Sequence, residues 1–158
     1  MNAMAPPRPP ELQHGCRVRL AAVPTAPAEA RRQVRAAICA WGITADPSIA
    51  ILLTSELVTN AIRHETGETI TLDIACCRGQ LRVDVHDTSR TLPVLVDAPA
   101  DAETGRGLML VATLSDEWGF YRTPQGKAVY FALGFQGDSD VGTVGFPAAH
   151  RSHQAWGR

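Results

Sequence analysis

The sequence carries almost no net charge: 15 basic against 16 acidic residues leave −1. That balance removes the broad positive footprint of a duplex-binding protein or a polybasic membrane binder. Long apolar runs are missing too, and a stretch such as residues 49–53 is far too short to cross a bilayer. The Pro-rich N-terminus lacks the basic flank and apolar core of a secretory signal. A cytoplasmic location is therefore expected, with no direct partner in nucleic acid or membrane. The four cysteines, Cys16, Cys39, Cys76 and Cys77, match no zinc framework, and adjacent cysteines rarely bridge each other. They read as reduced thiols. Lysine is nearly absent: Lys127 stands alone beside fourteen arginines. No internal repeat is visible.

What is present fits one globular domain. A chain of 158 residues with 45% hydrophobic side chains is long enough and apolar enough for a real core. Residues 1–15 hold Pro6, Pro7, Pro9 and Pro10 and few large apolar groups, so they read as a tail. Residues 16–23 alternate Val18 and Leu20 with Arg17 and Arg19, as a half-buried strand does. A helix is expected from Pro27 to about Ala40, stopped by Gly42. A second has the clearest start, with Asp46 placed to cap and Pro47 at the first helical position, and runs to about His64. Two strands, 68–77 and 80–86, meet at Arg78-Gly79 as a hairpin. Periodicity then lapses from Asp87 to Thr104, a connection long enough to act as a lid or binding loop. A helix over 105–114 and strands 117–122 and 127–134 complete the order, and residues 135–158 read as a second tail. Consecutive strands joined by tight turns imply a mostly antiparallel, mixed sheet. Three helices then cover one face of a two-layer α+β sandwich.

Three constellations carry chemistry. In Ser55-Glu-Leu-Val-Thr-Asn-Ala-Ile-Arg-His64, Glu56 and Asn60 lie four apart and project from one helix face, with Arg63 and His64 extending the stripe. A carboxylate and a carboxamide oxygen suit a base and a sparse Mg²⁺ ligand; the same spacing also suits a solvated pair on an amphipathic helix. In Asp87-Thr-Ser-Arg-Thr-Leu-Pro93, a strand-end carboxylate could accept from an amino group in a pocket, or Asp and Ser could simply make a turn. In Glu103-Thr-Gly-Arg-Gly-Leu-Met-Leu110, two glycines before a helix free the backbone to approach an anion at the helix start. The third glycine of a dinucleotide fingerprint and the Gly-Lys-Ser/Thr of a Walker A loop are both missing. Lys127 suits either a strand-edge charge or a phosphate contact. His150 and His153 lie in the expected tail and read as solvated, and Trp41, Trp118 and Phe120 as core or interface packing.

The order Glu-x-x-x-Asn, Asp-x-Ser-x-x-x-Pro, long loop, Gly-x-Gly-Leu resembles the Bergerat-fold (GHKL) ATPases. Within them it is most similar to the anti-sigma-factor serine/threonine kinases, of the short actinobacterial regulatory kind. The resemblance covers about residues 16–134. It implies ATP and Mg²⁺ as ligands, with Glu56 as general base and Asn60 as the metal ligand. It implies Asp87 on the adenine amino group, Ser89 and Pro93 on the pocket wall, and 94–104 as the lid. Thr104, Gly105, Arg106, Gly107, Leu108 and Met109 would close on the phosphates, with Arg63, His64, Lys127 and Ala128 also near the nucleotide. Ala128 stands where the family commonly has Thr, a departure that would weaken adenine binding by about 0.5–1.5 kcal/mol. The implied partners are an anti-anti-sigma factor as protein substrate and a sigma factor, with a homodimer compatible through the edge strand 16–23. Two rival readings remain beside the kinase: a nucleotide-dependent binding switch without transfer, and an ATPase directed at water.

Overall fold

The computed structural model describes residues 13–64, 67–91 and 106–135, and for Arg106 the backbone alone. The expected lid over 94–104, Pro93, Thr104, Gly105 and most of both tails lie outside the described residues. The elements follow the expected order: β1 (His14–Ala21), α1 (Ala26–Trp41), α2 (Pro47–His64), β2 (Thr69–Cys77), β3 (Gln80–Asp87), α3 (Arg106–Leu114), β4 (Glu117–Thr123) and β5 (Gly126–Gly134). The largest shift is at β1, which starts and ends two residues before its predicted range. His14 pairs with Cys76 in the sheet and stacks on Trp41 at 5.3 Å, which anchors the early start. At the other end, Val23 N–H donates to the Ala21 carbonyl at 2.9 Å and turns the chain toward α1.

Local chemistry accounts for the boundaries. Asp46 Oδ1 accepts from the backbone N–H of Ser48 at 2.8 Å and caps α2 ahead of Pro47. Gly42, at φ +63°, ends α1 in the left-handed conformation. Arg78 and Gly79 both take positive φ, the requirement of a two-residue hairpin turn whose twist matches its strands.

The strands lie in the order β1-β2-β3-β5-β4, and all four pairings among the described residues are antiparallel, so the described sheet is antiparallel throughout rather than mixed. Period-two alternation sends Ile70, Leu72, Ile74, Leu81, Val83, Val85, Val129 and Phe131 toward the helices. There they meet Val34 and Ile38 of α1 and Leu53, Leu57 and Val58 of α2 in one core. This is the expected α+β sandwich. Trp41 and Trp118 pack at its margin, Phe120 lies within it, and all four cysteines are free thiols.

The other sheet face carries a polar lattice. Arg17 donates to Asp73 at 2.7 Å, and His86 shares that carboxylate at 3.0 Å. Arg82 pairs with Asp84 at 2.7 Å, the Tyr121 hydroxyl donates to the same carboxylate at 2.7 Å, and the Arg82 guanidinium lies 3.9 Å over the Tyr130 ring. Each buried charge here has a partner, as burial demands.

Candidate functional site

The helical period puts Glu56 and Asn60 one turn apart on α2, both half-buried, while Leu53, Leu57 and Val58 turn into the core. Farther along, Arg63 and His64 are exposed at the helix end. Ser55 ties the helix to α1 by accepting from Arg31 at 2.8 Å, immediately beside Glu56. The glycine-opened helix α3 packs against α2. Their contact is close at one point: a Cβ added to Gly107 would lie 2.7 Å from Glu56 Oε2. Only glycine leaves that carboxylate its place. Two motifs separated by about a third of the chain therefore meet.

Asp87 sits at the end of β3, on the helix side of the sheet, and is 4% exposed. Its Oδ1 accepts from the backbone N–H of Ser89 at 2.9 Å, and Ser89 Oγ accepts from Thr91 N–H at 3.2 Å. The turn chemistry read from the sequence is thus present, at a carboxylate that is also buried. The same carboxylate receives Lys127 Nζ, at 3.0 Å from Oδ1 and 2.9 Å from Oδ2. Register explains the meeting, because Asp87 and Lys127 are directly paired across β3 and β5 and so share a face. Gly126 permits it, since a Cβ there would come within 2.2 Å of the Asp87 carbonyl oxygen.

Two sequence expectations are corrected here. The strand-edge reading of Lys127 fails: β5 is flanked by β3 and β4, and Lys127 is 1% exposed. Ala128 alternates to the opposite face, paired with His86 and Tyr121, so its missing hydroxyl is not beside Asp87. The side chain that stands there is Lys127. Sequence reading missed the ion pair because it follows from β5 inserting between β3 and β4, which no local pattern encodes.

The remaining positions divide by burial. Ser89 is buried beside Asp87, Leu108 is in the core, and Met109 is 43% exposed on α3. Asp87 also lines a cavity of about 440 Å³ with Arg17, Arg19, Thr71, His86 and Thr123. That cavity contains neither Glu56 nor Gly107, and so is distinct from the α2–α3 contact. Among the described residues no three His, Cys, Asp or Glu side chains converge on a metal position. A hard cation at Asn60 would therefore draw most of its ligands from phosphate and water, which Mg²⁺ accepts.

The family model of the histidine kinase-like ATPase domain matches residues 20–133. Among solved structures, the RsbU and RsbW domains of Rv1364c from Mycobacterium tuberculosis are similar, with a TM-score of 0.58 and 20% identity over 77% of this chain. The match covers 32% of the mycobacterial chain, and at that identity it is a likeness of fold. No curated protein matches. With the sandwich, the Glu56–Gly107 contact and the buried Asp87 in place, the family match has a structural counterpart: this chain belongs to the histidine kinase-like ATPase domain family.

Proposed function

We propose that this protein is an ATP-binding regulator that acts as a Mg²⁺-dependent serine/threonine kinase. In this reading it serves as an anti-sigma factor whose protein substrate is an anti-anti-sigma factor. The observation that carries the reading is the approach of Gly107 to Glu56, which sets a half-buried carboxylate beside the start of a glycine-opened helix. Backbone N–H groups unpaired at a helix start suit phosphate oxygens. Glu56 would orient the incoming hydroxyl and take its proton, the service a positioned carboxylate renders in phosphoryl transfer. Asn60, one turn along, would hold Mg²⁺, which when bound would neutralise charge on the phosphates. Asp87 would accept from the adenine amino group. A structural neighbour that includes an RsbW domain agrees with the regulatory assignment.

Labelled ATP incubated with a candidate antagonist protein tests this directly. The parent should transfer label to a serine or threonine of the partner. Glu56→Ala should bind ATP within about threefold of the parent and lose transfer by about a hundredfold or more. An unlabelled partner beside tight ATP binding would select the binding switch. Phosphate release at a rate indifferent to the partner would select the water-directed ATPase.

A further inference from the structure

Lys127 is buried, is the chain's sole lysine, and has two Nζ contacts on Asp87. A lysine ammonium is strongly hydrated and rarely so buried unless paired. The pair gives a carboxylate acceptor and an ammonium donor side by side, fixed by strand register on one end and by the Gly126 approach on the other.

We propose that Lys127 is a base-reading residue: its ammonium donates to the ring nitrogen adjacent to the amino group that Asp87 accepts. This rests on the assignment of Asp87 to adenine and adds a second reading group to it. The chemistry is complementary. An adenine edge offers an amino donor beside a ring acceptor, and the protein offers an acceptor beside a donor. An ammonium has three protons. Among the described residues Nζ donates to Asp87 Oδ1 and lies in ion-pair contact with Oδ2, and its three-proton valence lets it donate to a ligand beside that carboxylate as well. A group bonded to the Asp87 carboxylate on its Lys127 side lies close to Nζ, which is 2.9 Å from Oδ2. A hydrogen bond from a charged donor in such a dry setting discriminates more strongly than a neutral one.

The sole lysine makes the test clean. Protein labelled with ¹⁵N-lysine yields one Nζ resonance, to be followed while ATP or 1-deaza-ATP, which lacks that ring acceptor, is added to saturation. The parent should bind ATP about ten- to a hundredfold more tightly than 1-deaza-ATP by calorimetry, and only ATP should move the Nζ signal substantially. In Lys127→Met the preference should fall to about twofold or less, with most of the loss on the ATP side. Equal Nζ shifts with both ligands overturn the proposal, as does a Lys127→Met variant that loses affinity for both by the same factor, the mark of a purely structural residue. The parent's resonance decides the matter even if the variant does not fold. Absence of any ATP binding by the parent would instead refute the nucleotide assignment itself.

Discussion

Asp87 serves two demands with one carboxylate, since it neutralises Lys127 inside the protein and is the candidate acceptor for a base. Removing its charge therefore touches stability as well as binding. Asp87→Asn removes the counter-charge that the Lys127 ammonium, 1% exposed, has among the described residues, and should cost about 3–5 kcal/mol in chemical denaturation. Combining it with Lys127→Met neutralises both groups and should recover most of that loss. Gly107 presents the reverse case. The atom its Cβ would strike is the far end of the flexible Glu56 side chain, so Gly107→Ala should shift the melting temperature little. Displacing Glu56 should nevertheless slow phosphoryl transfer at least tenfold in the labelled-ATP assay. At this scale the sequence named Glu56, Asn60, Asp87 and Gly107 from motif spacing. It could not show what each one touches.

Among the elements, α2 was the most legible because its signals are local. A capping aspartate, a proline at the first turn and a 3.6-residue apolar period all point to the same start and face. Asp46→Ala should lower stability by about 1 kcal/mol, read from the shift in denaturation midpoint. The hairpin at Arg78-Gly79 was legible for the same reason, its turn residues lying next to each other in the chain. β1 was misplaced by two residues because its ends are set by pairing with β2, by the His14–Trp41 stack and by the turn at Val23. β5 was legible as a strand but gave no sign of its neighbours. Its insertion beside β3 changes Lys127 from an expected edge charge to half of a buried ion pair.

The whole molecule shows its charge design in its pH response. Burial pushes the Asp73 carboxyl up, but hydrogen bonds from Arg17 and His86 outweigh it and hold the group well below the ordinary carboxylate range. Its contribution is thus present above the unfolded pKa of about 3.9 and lost as pH falls through the folded value. Tyr130 moves the other way, pushed up to about 12 by burial and by the nearby Glu117 charge. Its contribution is complete below the unfolded value of about 10 and lost as pH rises from there to the folded one. Denaturation midpoints measured across pH should therefore fall at both extremes. Asp73→Asn should flatten the acid limb and Tyr130→Phe the alkaline limb. The sequence by itself determined the order of elements, the apolar faces of α1 and α2 and the motif residues, because periodicity, caps and turns act over a few neighbouring positions. Tertiary structure alone decided which strand lies beside β3, and so which side chains share a sheet face. Pairing between distant segments is chosen by the packing of the entire core, and that choice set Gly107 against Glu56 and Lys127 against Asp87.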